Sequence, residues 1–130
     1  MKVFITASFR KGKNKEEIEY LCSLVEESGF QDFCFVRDIE KPFDDPRKLM
    51  NKSKEEIEKC DVLLIDMTNK PTSRAIEAGI AFAQNKKIIS IMKKGTKIKD
   101  TTRGISDAMI EYENIKDIVK PLNSLFNEWN

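Results

Sequence analysis

Residues 60–92 read CDVLLIDMTNKPTSRAIEAGIAFAQNKKIISIM, and this stretch decides the fold. Asp61 opens an unbroken apolar run, Val62 to Ile65, that closes on Asp66 and Met67. Apolar residues without alternation predict a strand buried on both faces. Thr68-Asn69-Lys70-Pro71-Thr72-Ser73 are turn and cap residues and predict a loop. From Arg74 to Gln84 the spacing of Ile76, Ile80 and Ala83 predicts the apolar face of a helix. Ala75, Ala78, Gly79 and Ala81 are small enough for that helix to pack closely on a sheet. Lys87 to Met92 predicts a second apolar strand. A crossover of this length makes the two strands parallel.

Glu77 stands out within this unit. It lies about a turn after Thr72 or Ser73, the predicted N-caps, among small and apolar neighbours. In an open parallel sheet the ligand crevice lies at the carboxyl ends of the strands, where the following helices begin. An acid near a helix start also suits the macrodipole, so a capping role stands beside a functional one. In either role the helix start is expected to keep the carboxylate ionised.

The chain has 130 residues, enough for one domain (1–130) with a sizeable core. Charged residues make up 35% of it, but the net charge is only +1, so nothing calls for a nucleic-acid partner. No segment is apolar and long enough to predict a membrane span. Met1 to Ser8 is expected to be a strand rather than a signal peptide. Cys22, Cys34 and Cys60 are widely spaced in apolar surroundings and predict buried free thiols, as in a reducing cytoplasm. There is no histidine. That excludes Ser-His-Asp and Cys-His nucleophile systems and His-based metal sites, leaving carboxylates, hydroxyls, Lys, Arg and backbone dipoles.

The first strand, Lys2 to Ala7, runs into Ser8-Phe9-Arg10-Lys11-Gly12-Lys13-Asn14 and then a helix with Ile18, Leu21, Cys22 and Val25 on one face. Asn14 with Glu17 predicts a capping box, and Gly29 a stop. A hydroxyl, cations, a glycine and a helix start at one strand end suit an anion, although a Lys-rich surface turn reads the same way. Phe33 to Val36 predicts a second strand, and Asp38 to Pro46 a flap-like loop. Arg47 to Lys59 predicts a helix that Ser53-Lys54-Glu55-Glu56 could divide by a second capping box. A polar loop to Gly104 follows the central unit. Ala108 to Tyr112 predicts a fifth strand, and Ile115 to Trp129 a closing helix bent at Pro121. Alternating strands and helices predict a three-layer α/β sandwich with a five-stranded parallel sheet of flavodoxin/Rossmann-like kind.

The segment DVLLIDMT…IEAGIAFAQNKKII resembles the signature of the nucleoside 2-deoxyribosyltransferase family, which includes the 2′-deoxynucleoside 5′-phosphate N-hydrolases. The matching positions are Asp61, Thr68, Glu77 with Gly79, Ala81 with Ala83, and Lys86 or Lys87. The front loop from Ala7 to Lys13 is similar to the hydrolase branch's 5′-phosphate loop, and Arg103-Gly104-Ile105-Ser106-Asp107 to its late Arg-Gly-x-x-Asp segment. The resemblance implies that Glu77 is a nucleophile attacking the anomeric carbon, and Asp66 is the further catalytic candidate. It implies Ser8, Phe9, Arg10, Gly12, Lys13, Thr68, Ser73 and Arg103 as substrate or phosphate contacts. The substrate implied is a small nucleotide or nucleoside, the assembly a homodimer, and no metal or organic cofactor is needed.

Three departures bear on the chemistry. Phe4 stands where the family usually has tyrosine, Ser53 where it usually has an active-site aspartate, and Arg74-Ala75 where it has apolar and glycine residues. General-acid help to the leaving base would then come from Asp66, Asp38, Asp44 or Asp45. A catalytically weak nucleotide-binding or sensing protein on the same scaffold is the alternative reading. LLIDMTNKP also resembles the phospho-accepting strand of a receiver domain. A receiver needs acids after strand one to hold Mg²⁺, where this chain has Ser8-Phe9-Arg10.

Overall fold

The computed structural model describes residues 1–7, 14–39 and 44–130. The apolar run of the central stretch is β3 (Val62–Asp66), and its four residues Val62 to Ile65 are buried on both faces. Around it lie β1 (Lys2–Ile5), β2 (Gln31–Cys34), β4 (Lys87–Lys93) and β5 (Ala108–Tyr112). All five are parallel, in the order β2-β1-β3-β4-β5. The helices are α1 (Lys15–Glu27), α2 (Phe35–Asp38), α3 (Pro46–Glu58), α4 (Ser73–Ala83), α5 (Asp100–Ile105) and α6 (Val119–Trp129), with a 3-10 turn at Ile115–Ile118. The three-layer α/β sandwich is as the alternation of elements predicted.

Alternation along the strands divides the core into two layers. Val3, Ile5 and Leu64 face α1 and α6, meeting Ile18, Val25 and Leu122. Phe4, Leu63 and Ile65 face α3 and α4, meeting Ile57, Ala78 and Ala81. Gly29 ends α1 with a φ of 109°, and a Cβ there would stand 2.8 Å from the Phe126 ring. Both the backbone and the packing therefore require glycine at that turn. The three cysteines are free and buried, as expected.

Several local expectations are corrected. The second strand lies two residues earlier than Phe33 to Val36, because Gln31 to Cys34 pair with Lys2 to Ile5. Phe35 and Val36 instead enter α2, where Asp38 accepts from the Cys34 N–H at 2.9 Å and Arg37 bridges Asp32 and Asp38. Asn14 holds the N-cap position of α1, but no capping bond forms there. The third helix does not divide at Ser53. Asp45 caps it by accepting from the Arg47 N–H, Pro46 fills the first turn, and Ser53 is buried mid-helix.

On α4 the buried side chains are Ala78 and Ala81, whereas Ile76 is 57% exposed and Ala83 is exposed. The inward line follows the contact with α3 and the sheet rather than the largest apolar residues. Gly79 faces open space, so close packing on the sheet is not its reason. The polar loop before Gly104 contains α5. Pro121 falls in the first turn of α6, where a missing N–H costs no intrahelical bond. Its entry is made by Asn114 and Asp117, a reciprocal capping box on the 3-10 turn. Among the described residues no helix is long and apolar enough to cross a membrane.

Candidate active site

The strand order reverses between β1 and β3, and ligand crevices of doubly wound sheets open at such points beyond the carboxyl ends. A cavity of about 610 Å³ lies there, within the range of small-molecule sites. Its floor is formed where four strands end, at Thr6, Asp66, Lys93 and Tyr112. Helix α1 supplies an apolar wall with Ile18 and Leu21, the loop before α4 contributes Thr68, and the first turn of α4 contributes Arg74. In that loop Asn69 and Lys70 both take left-handed backbone angles, φ 67° and 47°. Two such residues in succession are uncommon and cluster where loops are held for function.

Asp66 is thoroughly engaged. Tyr112 OH donates to Oδ2 at 2.5 Å and the Thr68 N–H to Oδ1 at 2.9 Å, while Arg74 Nη1 donates to the Asp66 carbonyl at 3.1 Å. Burial and the adjacent Asp66 push the Tyr112 phenol up to about 12, so it donates rather than ionises. Thr68 accepts from the Lys93 N–H at 3.0 Å. This cluster ties the carboxyl ends of β3, β4 and β5 together.

Glu77 is not part of the cavity lining. It lies a turn into α4, beside Ala78 on the helix side that meets α3 and the sheet. Burial pushes its carboxyl up from the usual 4.5 to about 7, and the nearby Ser53 hydroxyl opposes that rise without cancelling it. The expectation that the helix start keeps this group ionised is thereby corrected. Dipole stabilisation fades within the first turn, and Glu77 lies past it, where desolvation dominates. Ser53 is 3% exposed. The chain thus places a hydroxyl near Glu77, at the position where the resemblance leads one to expect an aspartate. Phe4 is fully buried on the same sheet face, its ring tilted against that of Phe33 at 5.6 Å between centroids.

The other sequence-predicted residues are dispersed. Ser73 begins α4 and is exposed. Arg103 is exposed on α5, next to Gly104, which lines a separate cleft with Lys86, Lys87 and Asp107 at the amino ends of the strands. Asp107 accepts there from the Ile88 N–H at 2.8 Å. Ser8, Phe9, Arg10, Gly12 and Lys13 lie outside the described residues, as does the middle of the loop expected to be a flap. Of the acids considered as proton donors, Asp38 is held ionised despite its burial by Arg37 and the Cys34 N–H, and Asp45 is spent on capping α3. Reading the sequence missed Tyr112 as the partner of Asp66, because no local pattern links residues 46 positions apart. Among the described residues there is no cluster of three or more His, Cys, Asp or Glu side chains suited to a metal ion.

No protein-family model and no curated protein matches the sequence. Solved structures do match. The Clostridium botulinum CMP N-glycosidase BcmB superposes with a TM-score of 0.70 at 25% identity, covering 95% of this chain and 99% of that one. A 2-deoxyribosyltransferase from Bacillus psychrosaccharolyticus gives a TM-score of 0.73 at 15% identity over 92% and 90% of the two chains. One from Leishmania mexicana gives 0.58 at 17% identity over 76% and 74%. The latter two share the fold alone. By architecture, this chain is similar to an N-glycosidase and to 2-deoxyribosyltransferases, and it carries their flavodoxin-like α/β fold.

Proposed function

We propose that this protein is an enzyme that breaks the N-glycosidic bond of a nucleoside 5′-monophosphate, with Glu77 meeting the anomeric carbon. The observation that carries this reading is a half-buried carboxylate whose charge is destabilised by burial and steadied by a single buried hydroxyl. Structural ion pairs do not look like this, whereas carboxylates tuned for chemistry near neutral pH do. The likeness at 25% identity to a protein described as a CMP N-glycosidase supports both bond type and substrate class.

In this reading the C1′–N bond breaks and its electron pair departs with the base. A carboxylate oxygen of Glu77 then closes on C1′ to give a glycosyl ester. Water or a second base takes the sugar and frees the carboxylate. Ser8, Phe9, Arg10, Gly12 and Lys13 hold the 5′-phosphate, with Thr68 and Ser73 as the further substrate contacts, while Arg103, beside the cleft at the amino ends of the strands, takes no part. Asp66 organises the strand ends beside the crevice. Ile76 and Phe82, 57% and 53% exposed on either side of Gly79 on α4, support a homo-oligomer.

The test is base release, followed by chromatography, on ribo- and deoxynucleoside monophosphates and the matching nucleosides. Release from monophosphates that vanishes in Glu77→Gln supports the reading. Arg10→Ala should weaken monophosphate binding roughly ten- to a hundredfold, the worth of one charge-assisted bond, and barely alter nucleoside binding. Tight nucleotide binding with no release from any substrate would favour the sensing alternative, which the Phe4 and Ser53 departures support.

A further inference from the structure

Thr6 carries an anomaly that the reading above does not use. It is 2% exposed, and its hydroxyl has no hydrogen-bond partner. Native structures rarely leave a buried hydroxyl unpaired, because the desolvation is not returned. Valine has the same shape, suits a strand at least as well and carries no such penalty.

The position of Thr6 offers a reason. Its N–H donates to the Leu64 carbonyl at 3.1 Å, so the pairing of β1 with β3 continues through it. Alternation from Val3 and Ile5 on one side and Phe4 on the other then turns its side chain to the face of Phe4. That is the face on which Glu77 and Ser53 meet. Thr6 also borders the cavity at the carboxyl edge. Its backbone therefore borders the crevice, while its hydroxyl lies buried on the opposite sheet face, the one that carries Glu77.

We infer that the Thr6 hydroxyl reads the substrate, hydrogen-bonding a polar group of the bound nucleoside, either a sugar hydroxyl or the edge of the base. This rests on the nucleotide reading above. A hydroxyl can donate to one group and accept from another, so it suits both sources. The bond that the free protein lacks is then made when ligand enters.

Thr6→Val and Thr6→Ser test this, by melting temperature without ligand and by calorimetric titration with CMP, dCMP and UMP. Thr6→Val should melt at or above the wild-type temperature, since it removes an unpaired hydroxyl without changing volume. Its affinity should fall roughly tenfold, the worth of one hydrogen bond, while Thr6→Ser keeps wild-type affinity. A loss for CMP but not dCMP would identify the 2′-hydroxyl as the group read. A loss for CMP and dCMP but not UMP would identify the base edge. A loss for all three would identify a group they share, the 3′-hydroxyl or the O2 carbonyl common to cytosine and uracil. Wild-type affinity in Thr6→Val, or a melting temperature lowered by several degrees, would overturn the inference while leaving the Glu77 reading intact. If the wild type itself binds none of the three, the nucleotide reading fails and takes this inference with it.

Discussion

Two carboxylates near the carboxyl edge of one sheet have been treated in opposite ways. Asp66 receives a phenol and a backbone N–H, and it joins three strand ends. Glu77, on the other sheet face, has one serine hydroxyl nearby and is otherwise desolvated, so its carboxyl rises to about 7. An acid whose hydrogen bonds are already made is held in place by the fold. An acid with burial and little compensation is costly to keep, and such cost is expected where a group must react. Position in the sequence does not separate the two, since both flank the same loop.

The largest expected effect comes from removing the costly carboxylate. On the nucleophile role proposed above, Glu77→Gln should reduce base release by roughly 10³-fold or more. The same change should stabilise the protein above neutral pH. Between 4.5 and about 7 the folded chain keeps a proton that the unfolded chain has released, so wild-type stability falls as pH rises through this window. The full difference is on the order of 3 kcal/mol. Glu77→Gln, having no proton to lose, should escape it. Denaturant unfolding at pH 5 and pH 8 measures this, and equal pH dependence in variant and wild type would erase the contrast between the two acids. Turnover should show the reverse trend, rising with pH through about 7 as Glu77 ionises.

A second test sharpens the comparison by adding an acid to the Glu77 face. Ser53→Asp would set a second carboxylate beside Glu77, and two acids so placed cannot both ionise easily, so one keeps its proton near neutral pH. Turnover on substrates with poorly leaving bases should rise, up to roughly 10²-fold, the lower end of a general-acid contribution. Bases that leave without protonation should gain much less. A well-folded Ser53→Asp with flat turnover on both substrate types would sink the idea of a missing acid here. The stability effect is expected to be adverse because position 53 is buried, so folding should be checked first.

The smallest effect is expected on the Asp66 side. Tyr112→Phe removes the phenol from Asp66 and should cost about 1.5–3 kcal/mol in stability, as for a hydrogen bond to a charged group. Under saturating substrate, turnover should change less than threefold, because the bond anchors strand ends. A large loss of turnover with unchanged stability would move Asp66 into the chemistry and dissolve the distinction.

Much of the architecture could be read from the chain. Apolar runs without alternation, such as Val62 to Ile65, can be satisfied only by burial on both faces, which forces helices onto each side of the sheet. The fifth strand, Ala108–Tyr112, was legible to the residue because buried Ile110 and Tyr112 alternate with exposed neighbours between polar turns. The second strand was not, since its limits follow from pairing with Lys2 to Ile5 and from the Arg37–Asp38–Asp32 network rather than from its own composition. The outward side of α4 was misjudged for a related reason. Counting apolar residues favours Ile76, whereas the closest approach to a sheet favours Ala78 and Ala81.

By itself the sequence determined that this is a histidine-free parallel α/β chain with Glu77 on the helix that follows a buried strand. These are properties of local pattern and composition, carried by neighbours along the chain. Only the tertiary structure decided that Ser53 faces Glu77, that Tyr112 occupies Asp66, and that Thr6 is left unpaired. Each of these joins or isolates groups far apart in sequence. Whether a carboxylate is calmed by partners or strained by burial depends on what surrounds it in space, and no local spacing encodes that.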